Sequence, residues 1–134
     1  MSTHAVSPDA ASQVGAALRI DTAPARRTAH PRGAASRARV AVAGELDIAT
    51  SGLFRVGLAG LIRSQGPDIV IDASALTFCD ARGVAAIVAA GDLAERQGGS
   101  VTLTRVRPQV AKVLRITGVH RRFVRPGAAW PRRG

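Results

Sequence analysis

The stretch DIVIDASALTFCDARGVAAIVAAGDLAERQGGSVTLT, residues 68–104, decides the fold. It opens on Asp68-Ile69-Val70-Ile71-Asp72, an apolar run with no room for a helix and suited to a strand buried in a parallel sheet. It closes on Ser100-Val101-Thr102-Leu103-Thr104, which alternates as a strand does. Between them Asp80 offers an N-cap carboxylate, and Val84, Ile87, Val88 and Leu93 fall on one helical face from Ala81 to about Gln97. Gly98-Gly99 stop that helix. Ala73 to Cys79 reads as a connection whose Leu76 and Phe78 turn inward. Strand, helix, strand in this order is a parallel crossover unit.

Towards the N-terminus, Arg39-Val40-Ala41-Val42-Ala43 reads as a strand closed by Gly44. Thr50-Ser51 read as caps of a helix from Leu53 to Ser64, with Phe54, Leu58, Leu61 and Ile62 at helical spacing. Gly57 and Gly60 weaken that helix intrinsically but permit close packing on a sheet, and Gly66-Pro67 end it. Ala17 to Asp21 alternates as a short strand, and Pro24 to Ser36 is a long loop. Residues 1–16 lack any period and read as a disordered leader. Towards the C-terminus, Pro108 opens a third helix striped by Val110, Val113 and Leu114 and ended by Gly118. Phe123-Val124 close the fold, and residues 125–134 form a flexible basic tail with Trp130. The expected class is α/β, a mixed sheet of about four to five strands packed against helices, with one domain over residues 17–124.

Composition narrows the function. A single cysteine, Cys79, excludes an internal disulfide and a cysteine-rich metal site. It precedes a helix N-terminus, where a thiol pKa falls, but Leu76 and Phe78 beside it argue for a buried strand end and a small hydrophobe. Residues 1–17 lack the pattern of a secretion signal, and no apolar run approaches ~20 residues, so a cytoplasmic protein with no membrane partner is expected. The chain carries +10, of which residues 1–37 hold +3 and residues 125–134 another +3. Eighteen Arg against one Lys, with abundant Ala and Gly, fits a GC-rich genome and weakens a nucleic-acid reading. That competing reading would use Arg32, Arg37, Arg39, Arg121, Arg122, Arg125, Arg132 and Arg133, but no aromatics interleave with them.

Catalytic chemistry finds no anchor. The one lysine, Lys112, lies inside a predicted helix, so no P-loop exists, and no Gly-x-Gly-x-x-Gly follows a strand. His4, His30 and His120 are scattered, with no Ser-His-Asp or Cys-His set and no metal-ligand spacing. No catalytic residue, metal or cofactor is assigned. Asp47, Asp72 and Asp80 are placed at the C-terminal edge of the strands, a common position for function in α/β sheets.

Val42-Ala43-Gly44-Glu45-Leu46-Asp47, Ile69-Val70-Ile71-Asp72-Ala73-Ser74 and Phe78-Cys79-Asp80-Ala81-Arg82-Gly83-Val84 resemble the STAS domain, and more narrowly bacterial anti-sigma-factor antagonists. Gly98 to Leu103 and Val113 to Val119 continue the pattern, which covers roughly residues 38–124. The resemblance implies a non-catalytic regulator of transcription. Its partner would be an anti-sigma factor, often a serine protein kinase of the histidine-kinase-like ATPase type. In the family that kinase phosphorylates a serine and so releases the antagonist. The serine's position, immediately before Gly83, holds Arg82, and Ala81 precedes it; neither accepts phosphate. Thr77 and Ser74 are the nearby hydroxyls, with local backbone hydrogen bonding as their competing role. The partner surface is expected at Asp47, Asp80, Ala81, Arg82, Gly83 and Val84. Arg82 leaves three readings open: an antagonist that cannot be switched off, a divergent module of another signalling or transport assembly, and a lost contact. So small a sheet also leaves apolar surface for a homodimer.

Overall fold

The alternating elements form one five-stranded sheet in the computed structural model, which describes residues 12–14, 17–22 and 37–124. In chain order they are β1 (Ser12–Val14), β2 (Leu18–Thr22), β3 (Ala38–Leu46), α1 (Ser51–Gln65), β4 (Asp68–Cys79), α2 (Ala81–Arg96), β5 (Ser100–Thr104) and α3 (Pro108–Ile116). A 3-10 turn, His120–Phe123, follows. The strands lie side by side in sequence order. β1, β2 and β3 pair antiparallel, whereas β3, β4 and β5 pair parallel.

Each parallel step moves the same way along the sheet. Crossovers of one hand therefore put their helices on one face. Burial follows. Val40 and Val42 of β3, Ile69 and Ile71 of β4, and Val101 and Leu103 of β5 are buried. The alternate residues Arg39 and Ala41 are exposed on the other face. Helix α1 contributes Phe54, Leu58 and Ile62 to the core and α3 contributes Val110, Ala111 and Leu114. Each large side chain buried this way is worth about 1.5–3 kcal/mol.

Phe123 closes the bottom of this core, as its apolar character predicts, by resting on α2. A Cβ at Gly91 would come within 2.8 Å of the Phe123 ring, so only glycine admits that contact. Arg122 beside it reaches Asp92 at 2.6 Å and Glu95 at 3.2 Å.

The structure departs from the sequence reading in four places. Ser12–Val14, assigned to a disordered leader, pair with Arg19–Asp21; the rest of that leader, the Pro24–Ser36 loop and the tail lie outside the described residues. β3 does not stop at Gly44 but runs on to Leu46, with Gly44 at φ 109 inside it. β4 continues through the supposed connection to Cys79, pairing with β3 up to Leu46. Two register shifts, between Ala41 and Ala43 and between Gly44 and Glu45, each give β4 one extra residue. They reset the alternation, so Leu76 is buried while Phe78, expected inside, is 48% exposed. Finally, Gly60 in α1 creates no close approach, since a Cβ there would meet only the Arg63 guanidinium at 3.9 Å.

Because β5 pairs only with Asp68–Asp72, the rest of β4 has a bare edge on that side. The segment opening α3 covers it. Arg107 Nε donates to the Ser74 carbonyl at 2.8 Å, and Gln109 Nε2 to that of Thr77 at 3.4 Å.

Candidate functional site

β3 and β4 end together, with Leu46 opposite Cys79, and both helical crossovers start from there. The Asp80 amide donates to the Leu46 carbonyl at 3.2 Å, tying the start of α2 to the end of β3. Asp80 then caps α2: its Oδ1 accepts from the amides of Arg82 and Gly83, both at 3.0 Å. Gly83 sits so close to β3 that a Cβ would strike the Leu46 carbonyl oxygen and stand 2.8 Å from Cys79 Sγ. Glycine at 83 thus has a packing reason independent of any partner.

Cys79 is buried against this turn. Burial first, and the Asp80 charge second, push its thiol pKa from 9.0 up to about 12. It stays protonated near neutrality and behaves as the small hydrophobe its neighbours predict.

Asp47 lies in the turn after β3, and its carboxylate is taken up locally. Oδ1 accepts from the amides of Ala49 at 3.0 Å and Thr50 at 3.2 Å. Thr50, expected as a cap of α1, holds the N-cap position but makes no side-chain cap bond. Its hydroxyl turns inward instead, donating to the Glu45 carbonyl at 2.8 Å and accepting from the Asp47 amide at 2.9 Å.

The six residues expected at the partner surface therefore divide. Ala81 and Arg82 are exposed, Asp47 and Asp80 are half-buried with carboxylates bound to backbone, and Gly83 and Val84 are buried. The last two shape the turn and present nothing to solvent. The Arg82 guanidinium has no hydrogen-bond or ion-pair partner among the described residues. Asp72 is not at the strand end, because β4 runs seven residues past it; it pairs with Thr104 and lies 3.9 Å from Arg105.

Two side chains missed in the sequence complete the surface. Ile48, next to Asp47, is 65% exposed, and Phe78, next to Cys79, is 48% exposed. Both stand at the strand ends from which α1 and α2 depart. An apolar residue in a short turn signals this weakly at Ile48; at Phe78 the alternation pointed the wrong way. Of the two nearby hydroxyls, Thr77 is exposed and donates to the Gly44 carbonyl at 3.1 Å, while Ser74 is half-buried with its amide on Asp72 at 2.9 Å. No group of three or more His, Cys, Asp or Glu among the described residues could hold a metal.

An exposed cation on a rigidly capped helix start, at the end of the sheet where Ile48 and Phe78 are also exposed, is equipped to bind a protein surface. Comparison with known proteins agrees with this fold. The family model described as Mlab, STAS domain matches residues 29–126. Among solved structures, the anti-sigma factor antagonist SpoIIAA in its unphosphorylated form is similar at TM-score 0.57 and 21% identity, over 66% of this chain and 78% of that one. An anti-sigma factor antagonist from Mycobacterium paratuberculosis is similar at TM-score 0.55 and 24% identity, over 78% and 82%. No curated protein matches the chain significantly.

Proposed function

The chain belongs to the STAS domain family, and from that premise we propose that it is a non-catalytic regulator that binds a kinase-like anti-sigma factor in the cytoplasm and so frees a sigma factor for transcription. The observation that carries this reading is the exposed, unpaired Arg82 on the Asp80-capped start of α2, with Ile48 and Phe78 exposed at the same end. Fold likeness to two antagonists supports it.

Arg82 stands where the family's phosphorylated serine stands, so this antagonist is held permanently in its binding form. A phosphoserine adds about −1.5 to −2 charges; Arg82 supplies the opposite sign. Thr77 is a poor substitute as acceptor, since its hydroxyl is held on the Gly44 carbonyl, and Ser74 is half-buried within β4. The same arginine favours a second reading, a module of another signalling or transport assembly that is never cycled by phosphorylation.

A calorimetric titration against a histidine-kinase-like anti-sigma factor from the same cell, with and without Mg-ATP, tests the proposal. The parent chain should bind and gain no phosphate, Arg82→Glu should bind at least tenfold more weakly, and Arg82→Ser should become phosphorylated at the substituted position. Phosphate on Thr77 or Ser74 of the parent would show that the switch has moved. Equal binding by Arg82→Glu would remove this surface from the interface, and no binding by the parent would leave the second reading.

A further inference from the structure

All of the chain's excess positive charge lies on one side of Glu95. Residues 1–95 carry nine Arg against nine carboxylates, whereas residues 96–134 carry nine Arg and Lys112 against none. A uniform compositional bias towards Arg does not make carboxylates stop at one point. The last two, Asp92 and Glu95, are already engaged by Arg122. Lys112 on α3 and Arg121 in the 3-10 turn are exposed, with no carboxylate in reach among the described residues.

An apolar side chain stands beside Lys112. Helix α3 buries Val110, Ala111 and Leu114 and turns Lys112 and Ile116 outward, one turn apart on the same face. Ile116 is 73% exposed, the most exposed large hydrophobic residue described. In sequence, the tail adds Arg125, Arg132, Arg133 and Trp130, again with no acid. Clustered Lys and Arg on an amphipathic helix, with an apolar side chain on the same outward face, match an anionic lipid surface: phosphates take the cations and the acyl boundary takes the apolar group. A nucleic-acid backbone would use the cations and leave Ile116 without a partner.

We infer that the outward face of α3 and the turn after it form a second interaction surface, one that holds the protein on anionic membranes while the start of α2 remains free. The contact is peripheral. No helix among the described residues is long and apolar enough to cross a membrane.

Co-sedimentation of the full chain with vesicles tests this, comparing phosphatidylcholine alone with phosphatidylcholine plus phosphatidylglycerol. Binding is expected only to the mixed vesicles and should weaken as salt rises. Lys112→Glu with Arg121→Glu should reduce affinity by roughly twenty-fivefold or more, at about fivefold for each charge removed. Ile116→Ser should reduce vesicle binding while leaving its salt dependence intact. Both variants change only exposed side chains, and circular dichroism should match the parent. No binding to mixed vesicles overturns the inference. So does tight binding to a duplex oligonucleotide that Ile116→Ser leaves unchanged while vesicle binding is absent, which would make this a nucleic-acid surface.

Discussion

Two helices start side by side at the ends of β3 and β4, and they start differently. α1 is introduced by a closed polar turn. The Asp47 carboxylate holds two amides, and the buried Thr50 hydroxyl bridges the Glu45 carbonyl and the Asp47 amide. Each of these polar groups faces its own turn. α2 is introduced by one carboxylate, Asp80, that satisfies two amides and leaves Ala81 and Arg82 facing outward. The first arrangement spends its polar groups on stability. The second secures the helix with one residue and keeps the next two available, which is what a docking surface needs.

Substitutions at the two starts should separate these roles. The largest effect of any substitution is expected from Gly83→Ala, whose Cβ meets the Leu46 carbonyl and Cys79 Sγ; chemical denaturation should show a loss of about 3 kcal/mol. Thr50→Val keeps the volume but strips two backbone groups of the buried hydroxyl, and should cost about 2 kcal/mol with partner affinity unchanged. High pH acts on the α2 end through Cys79. Its thiol ionises near 9.0 when unfolded and at about 12 when folded, so stability is complete below pH 9 and falls as pH rises towards 12. Between pH 9 and 11 the loss approaches about 1.4 kcal/mol per unit. The chain has no Tyr and one Lys, which leaves few other groups titrating there, and Cys79→Ala should flatten that decline. Asp80→Ala should cost about 1 kcal/mol and weaken partner binding, because it loosens the turn that presents Arg82. The smallest change should be a gain: Gly60→Ala in α1 meets only the end of the Arg63 side chain, at 3.9 Å, and should stabilise the fold by about 0.5–1 kcal/mol in thermal denaturation.

Most of the architecture could be read from periodicity. The helices and β5 emerge from spacing alone, and Asp80 from its place before an apolar stripe. The failures have physical causes. A three-residue strand such as Ser12–Val14 is too short to show a period, and only its pairing with β2 defines it. The two extra residues in β4 are invisible to an alternation count, yet each one moves every later side chain to the other face, which is why Phe78 was turned the wrong way. Thr50 holds the N-cap position its residue type suits, but the acceptor its hydroxyl finds lies five residues back along the chain. At the candidate site, Ala81 and Arg82 are exposed, as a docking role requires. The burial of Gly83 and Val84 depends on how closely α2 approaches Leu46, and a sequence does not carry that distance.

Cys79 also gives the protein an intrinsic reporter. It is the sole sulfhydryl, and it lies against Gly83 under the first turn of α2. A thiol reagent can reach it only during moments when that turn lifts from β3, so the labelling rate counts those openings without any introduced probe. A macromolecule clamping Arg82 would slow the count, and a lipid surface resting on α3 would leave it unaltered, so one chromogenic assay distinguishes occupancy of the two faces.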